Sequence, residues 1–528
     1  MNTRVGVSFL AFVLALFASL LLNGRIAWAG GLSVVMAQPT PRSLGAPINA
    51  PIMVEFDRAI DRSTITPASF AAFGRWSGPV GGEYTFADGD RTVILTPDEI
   101  FSAGEHVMVV LSSQVEGTDG TSLDAGYSFQ FWVSSAGSDL GFETIDVLST
   151  RTDPSQGTRS YGGVATDLDN DGWLDLSIVN EDSADVRVFL NRADGTGLFH
   201  DFIQPPFPVN DRASPSEASD FNGDGNADLA VVNIDTNSVS ILLGQGDGTY
   251  GPQQEVTVGP APRGIAVLDA DADGDADIVN TNSEGAGSLS LLLNDGNGLF
   301  GSPAFFEGGG TGEWALGAAD MNEDGILDLV VGAQSADSAI LVVASNGDGT
   351  FTPLSTQEAG GSVWMLNAGD LNGDGHDDVA TANSSSDSGS ILLGDGNGNL
   401  AGPAVIPTDP FVLATDIGDI DGDDDLDWVT SSFSGDFVLF LNDGGANFTI
   451  WEQFPPSAAA SCALMLDFDN DHDLDLALID EIADEVTLVR NEGGMPTAAT
   501  VTELYASSDT HFAPLRWAAI TIGLVTLL

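Results

Sequence analysis

The chain has 528 residues and a formal charge of −63, which arises from 78 Asp and Glu residues against 15 basic residues, all of them Arg. A chain with so few cations has little with which to neutralise phosphates, and this argues against nucleic acid as a partner. The single cysteine excludes an intrachain disulfide framework. A hydrophobic content of 43% and 63 glycines are typical of a globular, turn-rich β protein.

Residues 1–29 have the pattern of an export signal. Arg4 gives a basic start, Val5 to Leu22 is largely apolar, and Ala27-Trp28-Ala29 is a small-x-small cleavage site. The alternative is an uncleaved membrane anchor, because the apolar stretch is long. Either reading predicts a secreted or cell-surface protein.

Residues 30–133 contain short stretches of alternating apolar and polar side chains separated by turns, which predict strands. The clearest are residues 51–56, 92–96, 106–111 and 127–132. About a hundred residues of this pattern are typical of an immunoglobulin-like sandwich. Ala46–Pro51, Ile52–Phe56 and Asp57–Asp61, together with the closing strand, resemble the bacterial SbsA-type Ig-like domain. The resemblance implies a spacer or surface module, and residues 134–141 form the predicted linker.

A nine-residue acidic motif organises the rest of the chain. Its first copy reads Asp167-Leu168-Asp169-Asn170-Asp171-Gly172-Trp173-Leu174-Asp175, and an apolar strand follows it. Seven copies open 48–53 residues apart, at Asp167, Asp220, Asp269, Asp320, Asp370, Asp419 and Asp467. A repeat of about 50 residues that carries several short strands predicts a propeller or an array.

Oxygen-bearing side chains at alternate positions of a tight loop suit a hard cation such as Ca²⁺. Positions 1, 5 and 9 are Asp in every copy, position 3 is Asp or Asn, and the variable position 7 offers a backbone carbonyl. Position 6 is Gly in five copies, and the exceptions Asp424 and His472 belong to residue types that tolerate positive φ. One such loop alone would be an ordinary acidic turn, and Mg²⁺ suits an all-protein cage less well. Up to seven Ca²⁺ sites, one per repeat, are therefore predicted at Asp167, Asp169, Asp171, Trp173, Asp175, Asp220, Asn222, Asp224, Asn226, Asp228, Asp269, Asp271, Asp273, Asp275, Asp277, Asp320, Asn322, Asp324, Ile326, Asp328, Asp370, Asn372, Asp374, His376, Asp378, Asp419, Asp421, Asp423, Asp425, Asp427, Asp467, Asp469, Asp471, Asp473 and Asp475.

The motif and the turn that follows it resemble the FG-GAP/VCBS repeat proteins, whose propeller is also that of integrin α-subunit heads. The second half of their signature, N-D-G-x-G-x-F, is matched at residues 293–300 and 346–351. The resemblance covers roughly residues 140–495 and implies a propeller. With seven loops, we predict an all-β chain in which an Ig-like β-sandwich precedes a seven-bladed β-propeller at residues 142–504.

Antiparallel order places the acidic loops and the Gly-rich turns on one face of such a propeller. The last repeat is irregular, and we expect Phe142–Leu148 to supply its outer strand and so remove free edges. Val501–Leu504 is the alternative closing strand. In the tail, residues 505–528, the apolar stretch Trp517–Leu528 is shorter than the ~20 residues that span a bilayer. We expect a remnant of a membrane or cell-wall anchor, with a sorting tail or a packed flap as alternatives.

A candidate recognition site lies six residues before each loop, at the central mouth of the opposite face. Arg263, Trp314 and Trp364 hold this position on consecutive repeats. Aromatic faces beside a planar cation suit sugars or an acidic loop of a partner protein. The alternative is that these side chains only plug the channel.

Catalytic motifs such as H-E-x-x-H and G-x-S-x-G are absent from the sequence. Acidic Ca²⁺ loops are a simpler explanation for the many pairs of acidic residues than the catalytic carboxylate pair of a glycosidase. We expect a non-catalytic adhesion or recognition protein that binds an extracellular protein or polysaccharide. One alternative is an extracellular carbohydrate-active lyase or hydrolase, or its accessory module. Another is a purely structural surface protein. The fold alone does not determine which of these functions the protein has.

Overall fold

The structure is a computed structural model that describes residues 31–284, 288–334 and 338–492. These residues form β-strands and one short 3₁₀ turn at Arg62–Thr64. None of their helices is long and apolar enough to cross a membrane. The predicted signal, the alternative closing strand Val501–Leu504 and the tail at 505–528 lie outside the described residues.

The N-terminal part contains eight strands in two four-stranded antiparallel sheets, ordered β1-β2-β6-β5 and β4-β3-β7-β8. Alternate side chains of these strands point into a shared core that includes Phe56, Phe70 and Phe129. The four strands predicted most clearly are confirmed as β2, β6, β7 and β8. The bounds are β1 (Val34–Gln38), β2 (Ile52–Phe56), β3 (Phe70–Gly74), β4 (Gly78–Pro79), β5 (Gly82–Ala87), β6 (Thr92–Pro97), β7 (His106–Leu111) and β8 (Tyr127–Trp132).

Seven further four-stranded sheets form propeller-like repeats, and each acidic motif joins the first strand of its sheet to the second. In each of the first six, four consecutive strands pair in sequence order. The strands are β9 (Gly141–Ser149), β10 (Ser160–Thr166), β11 (Asp175–Asn180), β12 (Asp185–Phe189), β13 (Phe207–Pro208), β14 (Ala213–Ser219), β15 (Asp228–Asn233), β16 (Ser238–Leu242), β17 (Gln254–Thr257), β18 (Pro262–Leu268), β19 (Asp277–Asn282), β20 (Leu289–Leu292), β21 (Ala304–Phe306), β22 (Glu313–Ala319), β23 (Asp328–Ala333), β24 (Ala339–Ser345), β25 (Phe351–Glu358), β26 (Val363–Gly369), β27 (Asp378–Asn383), β28 (Ser388–Leu392), β29 (Ala404–Pro407), β30 (Val412–Gly418), β31 (Asp427–Ser432), β32 (Phe437–Leu441), β33 (Thr449–Phe454), β34 (Ala460–Leu466), β35 (Asp475–Asp480) and β36 (Glu485–Glu492).

Burial follows the order of the strands within each repeat. The second strand, which begins at position 9 of the motif, is buried along its whole length, as in Asp228–Asn233. The outer strands are largely exposed, as in Thr449–Phe454. The core lies between neighbouring sheets: one cluster joins Val279 and Leu291 of the third repeat to Leu329 of the fourth.

The first strands of successive repeats contact one another, and β34 of the last repeat contacts β10 of the first. The outer strand of the last sheet is β9, which pairs with β36 from Gly141↔Glu492 to Ser149↔Glu485. The expectation that the segment before the first loop supplies this strand is confirmed. A strand from the beginning of the repeat region therefore completes the last sheet.

Candidate metal loops and central channel

Each acidic loop joins the first strand of a repeat to the second and is held by its own carboxylates. In the first copy, Asp167 accepts the backbone N–H groups of Asp171 at 3.0 Å and Gly172 at 2.9 Å. Position 6 has positive φ in all seven copies, including Asp424 at +67° and His472 at +77°. The loops therefore have a fixed backbone, which holds the carboxylate oxygens close to one another within the loop.

Position 9 has a bracing role that the sequence analysis missed. Asp175 accepts the N–H of Leu168 within the loop at 3.2 Å and the N–H of Asn191, at the start of the Gly-rich turn, at 2.8 Å. Its carboxylate therefore ties the two turns of one repeat together. The residues that donate to the seven position-9 aspartates from the second turn are Asn191, Gly244, Asn294, Ser345, Gly394, Asn442 and Asn491. The occurrence of Asp at position 9 in every copy, at the first residue of a buried strand, was the available signal.

Four loops bring three carboxylates together, with ligand atoms within 4.8 Å of one another. These are the four loops that have Asp rather than Asn at position 3. The groups are Asp167, Asp169 and Asp175; Asp269, Asp271 and Asp273; Asp419, Asp421 and Asp427; and Asp467, Asp469 and Asp475. Such groups could bind a metal ion, and an all-oxygen set is compatible with calcium.

The electrostatics of these loops fit a cation. The Oδ1 atoms of the four position-3 aspartates, Asp169, Asp271, Asp421 and Asp469, are buried without a hydrogen-bond partner among the described residues. Burial, assisted by neighbouring carboxylates, raises the pKa of Asp175 to about 8 and that of Asp427 to about 9. Buried carboxylates without a counter-ion are costly, and a divalent ion would remove that cost.

The N-terminal sheets lie against the loop face of the repeats, within the same compact unit. Backbone N–H groups of Ser113 and Ser128 donate to loop carbonyls at 2.7 Å each, those of Ala272 and Gly325. In the predicted linker, Ala136 donates to the carbonyl of His472 at 2.5 Å. The N-terminal domain and the linker therefore both contact the acidic loops directly.

The first strands of the seven repeats line a central channel, and a hairpin of the N-terminal domain, which carries Arg75 and Trp76, closes it on the loop face. Trp76, which lies between β3 and β4, is 3% exposed and joins a hydrophobic cluster of the first, sixth and last repeats. Its carbonyl accepts the N–H of Asp167 at 3.0 Å. Arg75 enters the channel and forms an ion pair of 2.9 Å with the buried Asp416.

The opposite mouth holds the three residues predicted as a recognition site, and the structure brings them together. The Arg263 guanidinium lies 3.9 Å from the centre of the Trp314 ring, and the Trp314 and Trp364 rings are 4.7 Å apart. Trp364 Nε1 donates to Tyr161 Oη at 2.7 Å, which joins the fifth repeat to the first across the mouth. Desolvation lowers the pKa of Arg263. The side chains therefore contact one another across the mouth, as expected if they plug the channel.

The aromatic residues continue outward from the mouth, a feature that was not predicted from the sequence. Phe411 lies 5.8 Å from Trp364 and 6.1 Å from Phe433, measured between ring centres. Phe411 is 41% exposed, whereas Val412, which follows it in the chain, is buried. A large apolar residue immediately before the first strand of the sixth repeat was the only available signal. We name Trp314, Trp364, Phe411 and Phe433 the aromatic row.

Two family models match the chain. A model of FG-GAP-like repeats matches residues 167–231, 220–280, 269–331, 320–381, 370–430 and 419–478, which together cover more than half of the chain. The chain belongs to the FG-GAP-like repeat family. A model of a bacterial Ig-like domain matches residues 30–133, the part with the two N-terminal sheets. FG-GAP-like repeats and a bacterial Ig-like domain indicate an extracellular or surface binding protein.

No curated protein matches this FG-GAP-like repeat chain. Among solved structures, BBS1N in complex with ARL6DN is similar at 13% identity, over 67% of this chain and 98% of that one, with a TM-score of 0.46. An Agrocybe aegerita lectin, described as recognising non-reducing terminal N-acetylglucosamine, has 15% identity over 81% and 94% of the two chains and a TM-score of 0.41. A functionally unknown protein from Desulfotomaculum acetoxidans has 12% identity over 60% and 94%, with a TM-score of 0.38. The family assignment depends on the repeat match and not on these structures.

Proposed function

We propose that this FG-GAP-like repeat protein is a secreted or cell-surface recognition protein without catalytic activity. In this proposal the seven sheets of the repeats form a seven-bladed β-propeller, and an Ig-like sandwich caps its loop face. Calcium ions bound by the acidic loops hold the ring in one conformation. Preorganisation of this kind lowers the entropic cost of binding a ligand.

The observation that carries the calcium proposal is the set of buried, unpartnered position-3 oxygens in the four three-carboxylate loops. Three carboxylates at one point are self-repelling without a cation, and all the available donors are oxygen atoms. Sites of this type outside the cell are expected at the weak end of calcium affinities, with dissociation constants of ~10⁻⁴–10⁻³ M.

The recognition surface in this proposal is the face opposite the acidic loops, because the N-terminal domain covers the loop face. The aromatic row lies on that opposite face and is partly exposed at Phe411. Aromatic rings bury large areas against the apolar faces of sugars or against a protein loop. The proposed partner is therefore an extracellular polysaccharide or protein.

A glycan array of the purified protein in calcium, followed by analysis of products from any bound glycan, tests this function. Binding without bond cleavage supports recognition, whereas cleavage would establish a carbohydrate-active enzyme instead. Phe411→Ala should weaken binding at least tenfold with little loss of stability. Phe305→Ala is the matched control, since Phe305 is 55% exposed on the outer strand β21 and should leave binding unchanged. If glycans bind and neither Phe411→Ala nor Trp364→Ala alters that binding, the aromatic row is not the site.

A further inference from the structure

The loop of the fourth repeat differs from the four three-carboxylate loops in its charge and in its contacts. Position 3 is Asn322, so only three of the motif's acids remain, at Asp320, Asp324 and Asp328. This loop also receives a cation from another part of the chain. Arg42 Nη1 lies 3.3 Å from Asp320 Oδ2, and its Nη2 lies 3.8 Å from Glu323 Oε1.

The same guanidinium reaches the loop of the fifth repeat. Arg42 Nε donates to the carbonyl oxygen of Gly375, at position 6 of that loop, at 2.9 Å. The Arg42 side chain is 13% exposed and that of Asp320 is 7% exposed, so the ion pair is largely shielded from water. Arg42, which belongs to the N-terminal domain, therefore bridges the acidic loops of the fourth and fifth repeats.

The backbone holds Arg42 firmly in this place. Its N–H donates to the carbonyl of Gln130 in β8 at 2.7 Å, which fixes the segment to the edge of the N-terminal sheet. Its φ is +65°, a conformation that is uncommon for a residue with a side chain. An uncommon backbone conformation that is held by surrounding contacts is typical of a functional residue, and here it directs the Arg42 side chain to the two loops.

The Arg42 guanidinium occupies the position on Asp320 Oδ2 that a divalent ion would use. Asp320 Oδ2 already accepts the N–H of Gly325 at 3.1 Å, and the Arg42 contact fills its second acceptor position. A divalent ion bound by Asp320 would therefore compete with Arg42 for the same oxygen and would be repelled by its charge. Arginine stays protonated at any physiological pH, so the guanidinium keeps its positive charge beside Asp320.

We propose that Arg42 is the resident cation of the fourth loop, which consequently does not bind calcium, and that this contact ties the Ig-like domain to the propeller. The inference rests on the proposed binding of calcium by the other loops. It predicts that the fully loaded protein carries fewer than seven ions. It also predicts that removing the guanidinium creates an additional site, since Asp328 Oδ2 in this loop is buried and has no hydrogen-bond partner in the part of the chain that the structure describes.

The test counts calcium ions per chain by equilibrium dialysis against excess Ca²⁺, using single substitutions of the full chain. Asp320→Asn should leave the number of bound ions unchanged. Asp419→Asn, in a three-carboxylate loop, should lower it by one and serves as the matched control. Arg42→Met should raise the number by one. Arg62→Met, which removes an exposed cation paired with Asp90 in the same domain, should not change it.

Loss of one ion in Asp320→Asn would overturn the inference, because the fourth loop would then be an ordinary calcium site. An unchanged count in Arg42→Met would also overturn it, since the guanidinium would not be what excludes the ion. If Asp419→Asn and the wild type both bind no calcium, the proposed function fails instead. The Asp320→Asn measurement remains decisive even where Arg42→Met does not fold.

Discussion

Glu105 accepts the backbone N–H of Trp76 at 3.0 Å, and this bond fixes the hairpin that closes the central channel. The same carboxylate accepts the N–H of Ser77 at 2.9 Å and that of Ser102 at 2.8 Å. Glu105 is fully buried, and its burial raises its pKa while these donors act in the opposite direction. One side chain therefore organises both the turn and the loop beside it.

Replacing Glu105 with Ala should destabilise the protein by about 3 kcal/mol, because the buried N–H of Trp76 and the partly buried N–H groups of Ser77 and Ser102 would lose their acceptor, at about 1–3 kcal/mol for a buried donor. Urea unfolding monitored by Trp fluorescence measures this loss. Glu116→Ala, at an exposed Glu of the same domain, is the control and should change stability by less than about 0.5 kcal/mol. Equal effects of the two substitutions would show that Glu105 does not support the hairpin.

The closing strand β9 offers a test of the ring within two adjacent residues. Leu148 is 8% exposed and packs in the core of the last repeat, whereas Val147 is 46% exposed on the other side of the same strand. Leu148→Ala should cost about 2–4 kcal/mol, and Val147→Ala less than about 1 kcal/mol. Denaturant unfolding of the two variants measures the difference. Similar small losses would mean that β9 is not part of the folded ring.

The repeat architecture could be predicted because its signal is local and recurrent. The acids of every motif, and the Gly of five of them, occupy fixed positions, and the surplus strand before the first motif had only one sheet to complete. The positive φ at Asp424 and His472 also followed from position alone. These features depend on short stretches of chain that repeat, and repetition separates them from chance.

The docking of the N-terminal domain could not be predicted in this way. Ser113 and Ser128 bind loop carbonyls through their backbone, so no side-chain pattern marks the contact. Arg42 and Asp320 are 278 residues apart, and neither carries a sign of its partner. The aromatic row was found only in part, because Phe411 and Phe433 join it through the arrangement of three repeats in space.

The loop carboxylates predict an unusual dependence of stability on pH in the metal-free protein. Burial and neighbouring carboxylates raise the pKa of Asp175 and Asp228 to about 8 and that of Asp427 to about 9. Between the unfolded value near 4 and these folded values, the folded chain holds more protons than the unfolded chain. Stability is therefore highest at acidic pH and falls as the pH rises, by at most about 1.4 kcal/mol per pH unit for each such group.

Thermal unfolding in a chelator should thus give a melting temperature that decreases from about pH 5 to about pH 8. In excess calcium the decrease should disappear, because the ions stabilise the ionised carboxylates and protons compete with them. The two pH profiles should converge at low pH. Superimposable profiles with and without calcium would mean that the loops do not bind the ion.

The most direct test is a crystal structure of the full chain grown in excess calcium, with anomalous scattering used to locate the ions. We predict a calcium peak in each of the three-carboxylate loops, with ligands that include Asp169, Asp271, Asp421 and Asp469. Ca–O distances should be about 2.3–2.6 Å. Ordered loops without calcium peaks in such crystals would contradict the account.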